Sequence, residues 1–216
     1  MYRGKYLEPM LATLSAVATA LGAQIRFVLG PIPYTMQNLG FVLAGLLLST
    51  RWAALSQLIY IAMIGLGIPA AAGFRGGVHV LIGYTAGYIW SFPLAAALTS
   101  TLSRRYLRMR SISLDQVRRI DIAILALIAL IAAIPMYLTG FVIFYLYASL
   151  PTYRSLYIWS ETVVRQLLHL DLRNPLLTLF ISSVLIFIPQ DVAMDHVLAI
   201  LIARMVYRVL RSKGMV

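Results

Sequence analysis

Apolar residues in this 216-residue chain neither alternate nor keep to a narrow stripe; they run in long blocks separated by short polar punctuation. A helix needs about 20 mostly apolar residues to cross a ~30 Å hydrocarbon layer, and the blocks read as such spans. Six are predicted, over residues 7–29, 36–49, 52–66, 81–103, 120–147 and 190–210, in an all-α membrane domain covering 1–216. The first is long enough to be a retained span rather than a cleaved leader, and Gly30-Pro31-Ile32-Pro33 is expected to end it. Pro135 and Gly140 are expected to kink or flex the fifth span. The segment 151–188 is expected to be interfacial or outer: apolar residues recur at helical intervals among the polar ones of 151–174, as in an amphipathic helix along the outer interface, and 175–188, separated from the sixth span by Pro189, is expected to be a shorter membrane-embedded segment.

The stretch from Gly67 to Pro93 departs from this pattern. It sets glycines, an arginine, a histidine and several aromatics between two apolar blocks, with residues 67–80 read as an irregular loop. Irregular backbone at membrane depth is tolerated only where it is buried in protein or lines a cavity, because lipid cannot satisfy free N–H and C=O groups. The stretch is therefore the first candidate for a binding site.

Composition agrees with a membrane protein: 61% of residues are hydrophobic and 12% charged, against roughly 25% charged in soluble domains. A net charge of +11 would suggest nucleic acid if the cations were scattered over a soluble surface. They fall mostly at the N-terminus (Arg3, Lys5), at Arg51, in the arginine-rich 104–119 segment and in the tail from Arg204. The positive-inside rule then places both termini in the cytoplasm and opens the glycine-rich stretch to the outside. Nucleic acid is not an expected partner; membrane lipid is. The chain has no cysteine, which removes disulfides, thiolate metal sites and cysteine nucleophiles.

No HExxH, GxSxG, Walker A or metal-ligand spacing occurs, so neither an enzyme nor a resident cofactor or metal is indicated. His79, His169 and His196 are scattered and read as satisfied polar groups. Carboxylates inside a span are costly and are usually functional or paired. Asp191, just after Pro189, is the leading candidate, and Asp195 is its neighbour one turn on, one of the two being available to pair with Arg26 or His196. Thr35, Gln37 and Asn38 either cap the second helix or reach into a pocket. Ala12, Ala16 and Ala20 leave one face of the first helix nearly bare, for packing against a span of the same chain or for docking a separate membrane subunit.

Pro31-Ile32-Pro33-Tyr34-Thr35-Met36-Gln37 resembles the PVPITLQ signature of the BioY family, the biotin-specific S components of energy-coupling factor (ECF) transporters. The resemblance continues in register through Ala44-Gly45, Gly67-Ile68-Pro69, Gly73-Phe74-Arg75-Gly76-Gly77, Gly83-Tyr84-Thr85-Ala86-Gly87-Tyr88 and Phe92-Pro93. It thins beyond, to Tyr145 and Phe187-Ile188-Pro189-Gln190-Asp191. It implies the S-component fold in the cell membrane, capture of biotin from outside, and delivery through a transmembrane coupling subunit and two ATPase subunits, with no ATP hydrolysis by this chain. It also implies a docking role for Ala12, Ala16 and Ala20. Gln37, Asn38, Arg75, Gly76, Gly77, Thr85, Tyr88 and Asp191 are the implied substrate-binding residues, with Asp191 accepting from the ureido N–H groups and Tyr88 and Trp90 offering walls; the aromatics equally suit interfacial anchoring. Where the family has glycine before the aspartate and lysine three residues after it, this chain has Gln190 and Met194. Arg75 could replace that cation, with His196 a weaker candidate. The segment before the sixth span is also longer than usual for the family. Two rival readings stand beside biotin uptake: an S component for another small vitamin or a biotin precursor, and a non-transport adaptor using the arginine-rich segment.

Overall fold

The computed structural model describes residues 6–28 and 31–215. Arg3, Lys5 and the predicted end of the first span at 29 and 30 lie outside them. Helix α1, Leu7–Gly22, stops seven residues short of the predicted span. Ile25, Phe27 and Val28 are β-branched or aromatic, and Pro31 and Pro33, two residues apart, disfavour a helix. The chain instead forms a hairpin, β1 (Arg26–Val28) against β2 (Pro33–Thr35), pairing Arg26 with Thr35. Arg26 is thus on a strand rather than within the first helix.

Helices α2 (Asn38–Leu47) and α3 (Thr50–Gly65) follow. The predicted single helix over 81–103 is broken into α4 (Val78–Leu81), α5 (Ala86–Trp90) and α6 (Phe92–Met109), the last carrying Arg104, Arg105 and Arg108 on its final turns. Helices α7 (Arg119–Ala132) and α8 (Ile134–Ala148) form a 30-residue apolar run with a break at Ala133. Pro135, which has no N–H to give, explains the break. Gly140 is not a flex point: it lies inside α8, where a methyl group would collide with the Tyr88 ring. Helix α9 (Arg154–Leu168) has the amphipathic character its sequence predicts, with Leu156, Ser160, Val163 and Val164 buried.

The C-terminal run, α10 (Pro175–Ser212, 38 residues), has a short turn at Ile186 and Phe187, after which a helical segment, Ile188–Gln190, restarts with Pro189 in its first turn. Two π-helical stretches, Ile181–Leu185 and Asp191–His196, flank this interruption and keep the run on one path. Such widened turns are frequent at functional sites. The 30-residue run and α10 are long and apolar enough to cross a membrane, and Leu7–Gly22 and Asn38–Leu47 are shorter apolar helices.

Helix α1 packs on α2 and α3, both of these pack on α6, and α5 packs on α8. Ala12 and Ala16 are fully buried inside the chain, with Ser15 and Thr19 beside them. The bare stripe is therefore used in the chain's own core, where Gly40 of α2 lies directly on Thr19, and Ala12 and Ala16 are not a surface another subunit can reach. The outward face of α1 carries Met10, Leu14, Val17 and Leu21. Overpacking a filled core costs about 1–3 kcal/mol. Ala16→Leu is accordingly expected to lower the thermal midpoint of the isolated protein with no partner present, while Val17→Ala leaves it nearly unchanged, as thermal unfolding in detergent would read.

At the end of the bundle away from the hairpin, Arg211 of α10 grips Asp115 in the α6–α7 connection at 2.8 Å. The Ser113 hydroxyl and, after it, Arg211 hold the Asp115 carboxyl below the usual carboxylate range.

Candidate functional site

Six of the eight predicted binding residues, Gln37, Asn38, Arg75, Thr85, Tyr88 and Asp191, line one cavity with about 700 Å³ of atom-free space, part of it continuous with solvent. The β2 strand and the start of α2 form one wall, the 70–75 turn and α4–α5 another, and α8 and α10 the third.

Asp191 supplies the buried end. It is 4% exposed, and the Tyr137 hydroxyl donates to its Oδ2 at 2.6 Å. The Asn38 side chain faces the same carboxylate. Neither Asp191 nor Asp195 is in an ion pair among the described residues, and the guanidinium of Arg26 lies instead against Gly73. Asp195 is fully buried behind the cavity, near the backbone N–H groups of Asn38 and Leu39 at the start of α2. His196 is fully buried beside Phe41 and takes no part in the lining. Of the two carboxylates in this π-helical stretch, Asp191 lines the cavity and Asp195 does not.

Gln37 sits at the head of α2 without capping it; its Nε2 donates to the Tyr60 hydroxyl at 3.1 Å. Tyr88 is held across the cavity, donating to the Ser183 carbonyl at 2.6 Å. Arg75 is exposed at the rim, with Nε donating to the Ala72 carbonyl at 3.0 Å. It is the one cationic side chain among the lining residues.

Gly76 and Gly77 do not line the cavity. A methyl group on Gly76 would strike the backbone of Gly67 and Ile68, and Gly77 has φ +104° and donates to the Ile64 carbonyl. Both serve loop closure rather than contact with a ligand. Trp90 points outward, 49% exposed, and donates to the Leu81 carbonyl. Met194 is also outside the lining.

Sequence reasoning missed Tyr137, the partner of Asp191, and the apolar lining from Phe92, Met136 and Phe187. Tyr145 was the tyrosine singled out in the fifth span; it packs instead in a second, tyrosine-rich cluster around Phe144, Leu156 and Phe187. The available signal was Pro135: the break it imposes brings the next turn of α8, with Met136 and Tyr137, against the cavity.

The BioY family model matches residues 5–212 of this chain. The chain belongs to the BioY family. Among curated relatives of this BioY chain, the "Probable biotin transporter BioY" of Pyrococcus horikoshii is 45% identical over 91 residues, covering 42% of this chain and 56% of that protein. The "Biotin transporter BioY" of Rhizobium etli is 35% identical over 98 residues, covering 44% and 52%. These matches span about half the length of the relatives. A crystal structure described as "the S-component for biotin from an ECF-type ABC transporter" superposes with a TM-score of 0.72 at 19% identity, covering 96% of this chain and 94% of that one. At that identity the likeness carries the S-component fold. Membership in a family of transporters removes the support for a non-transport adaptor.

Proposed function

We propose that this BioY chain is the substrate-binding membrane subunit of an ECF-type biotin transporter. The observation that carries the reading is one cavity with a buried carboxylate at one end, a single arginine at its exposed rim and apolar walls along it. Biotin has the complementary order: a ureido ring with two N–H donors and a carbonyl, an apolar thiophane ring and chain, and a terminal carboxylate.

In this reading Asp191, oriented by Tyr137, accepts the ureido N–H groups through charge-assisted bonds. Asn38, Gln37 and Thr85 are placed to donate to the ureido carbonyl. Phe92, Met136 and Phe187 cover the thiophane ring and chain, and Tyr88 contributes a ring face. Arg75 receives the carboxylate and takes the place of the family's lysine. The chain crosses the cell membrane six times, with α4–α6 and α7–α8 each completing one crossing, and both termini are cytoplasmic. The hairpin and the 70–75 turn then face outside. A coupling subunit and two ATPase subunits supply the energy, and this chain hydrolyses no ATP. With Ala12 and Ala16 buried, docking through α1 falls to its outward face, on which the part-buried Ala20 borders Leu21.

Calorimetry on the purified protein in detergent tests the reading. Biotin is expected to bind tightly and in preference to its amide, and Arg75→Gln is expected to cost about tenfold or more in affinity for the acid with little change for the amide. Failure of the folded wild-type protein to bind biotin would overturn the assignment. Equal affinity for acid and amide would overturn the role of Arg75 alone.

A further inference from the structure

We propose that Gln24 is a positioning residue: it clips the turn carrying Arg75 to the end of α1 and so sets the chain's discrimination for an acidic ligand tail, an inference that rests on the reading of Arg75 above. Gln24 lies two residues beyond α1, and its primary amide is in full use. Nε2 donates to the Ala20 carbonyl at 3.0 Å and to the Ala71 carbonyl at 3.1 Å, with the Ala70 carbonyl at 3.5 Å. Oε1 accepts from the Phe74 N–H at 2.9 Å. The orientation of the amide follows from these partners: reversing it would face an oxygen to two carbonyls and an NH₂ to an N–H. Two donors and an acceptor on one planar tip are what asparagine and glutamine offer, and only glutamine has the reach found here.

The turn it holds has reason to need holding. Ala71 and Arg75 exchange both backbone hydrogen bonds, Ala71 N to Arg75 O at 2.9 Å and Arg75 N to Ala71 O at 3.3 Å. Gly73 and Phe74 form its tip at φ +72° and +56°. A phenylalanine in the left-handed region is disfavoured, and such a residue persists when its surroundings over-determine it. The Phe74 ring gives little help, being 72% exposed. Its N–H is fixed by Gln24, one residue before Arg75. The Arg26 guanidinium also lies against Gly73. Without the amide of Gln24, the turn keeps its own two bonds but loses its register on α1, and Arg75 loses its fixed place at the rim. The residues around Asp191, which belong to α2, α8 and α10, are untouched by that loss.

The test compares wild-type protein, Gln24→Met, Arg75→Gln and the double variant in detergent, titrated by calorimetry with biotin and with biotin amide. Gln24→Met keeps an unbranched side chain of similar length. It is expected to weaken acid binding about tenfold while amide binding stays within about threefold, and to add nothing in the Arg75→Gln background. Hydrogen exchange of the ligand-free proteins is expected to show faster exchange at Phe74 in Gln24→Met but not in Arg75→Gln. An equal fall for acid and amide would make Gln24 a general structural residue and overturn the proposal. So would unchanged affinities, or additive effects in the double variant. Wild-type protein that binds both ligands equally would sink the role of Arg75 first, in an arm containing no Gln24 variant, and the proposal with it; exchange at Phe74 would still report whether the clip exists.

Discussion

Asp191→Asn is expected to reduce biotin affinity roughly 100-fold or more while leaving the folded protein as stable as before, or slightly more so. Asparagine keeps one oxygen but gives up the charge, and it presents an NH₂ where the ureido group also presents N–H. Hydrogen bonds to a charged partner are worth about 1.5–3 kcal/mol each, so losing two charge-assisted bonds accounts for a fall of that size. The opposite sign for stability follows from burial. Asp191 is 4% exposed and has no cationic partner, so the ligand-free protein holds a carboxylate that is costly to keep out of water. Tyr137 offsets only part of that cost through its bond to Oδ2. Calorimetry and thermal unfolding on the same preparation would check both arms. A variant that unfolds at lower temperature would show that Asp191 is a structural residue, and one that binds biotin normally would remove it from the site.

Gly87→Val is the second large effect, and it runs through packing. Gly87 sits where α5 crosses α8; a methyl group there would collide with the Thr139 carbonyl, and Gly140 on the other helix accepts the Tyr88 ring in the same way. The Thr139 hydroxyl lies between the two helices, 2.8 Å from the Gly87 carbonyl and 2.7 Å from the Ser91 hydroxyl. Forcing the helices apart is expected to cost about 1–3 kcal/mol in stability. It would also separate Tyr88 on α5 from Tyr137 on α8, two tyrosines facing the same cavity, so biotin affinity should fall by about tenfold or more. Gly83→Ala is the control: its nearest neighbour would be the His79 carbonyl at 3.4 Å, and neither the thermal midpoint nor binding should move by much. A Gly87→Val protein with wild-type stability and affinity would mean that the α5–α8 contact is not as tight as described.

What the sequence made legible, and what it did not, divides along physical lines. Long apolar blocks announce helices, and residues whose chemistry is expensive in an apolar setting announce a site; Asp191, Arg75, Gln37, Asn38, Thr85 and Tyr88 were all found in this way or through the family signature around Pro31 to Gln37. Close-packing glycines were misread because a glycine apposed to a ligand and one apposed to another helix look alike in sequence. Gly76 and Gly77 both meet protein. The same ambiguity hid the use of Ala12 and Ala16, whose bare face is filled by the chain itself. Tyr137 was invisible because tyrosines are frequent in this chain, 13 in all, and only the break near Pro135 decides which of them faces the cavity. The wide turns on either side of Pro189 could not be read from the sequence, since a proline announces an interruption of the helix but the neighbouring residues do not say how the flanking turns answer it.

The widened turn after Pro189 changes how the missing lysine should be understood. In a regular helix, residues three apart share a face, so an aspartate and a cation at that spacing would work as a rigid pair gripping both ends of a ligand from one rod. Here the turn that begins at Asp191 is π-helical, and Met194 emerges on the outside of the bundle, 39% exposed. Position 194 has lost its address as well as its charge. On the proposed reading, ring recognition would stay with Asp191 on α10 while tail recognition would fall to the turn that carries Arg75, so that the two halves of the ligand would be read by separate parts of the chain. If the proposed roles hold, a change in that turn would retune which acids are accepted without disturbing the socket around Asp191.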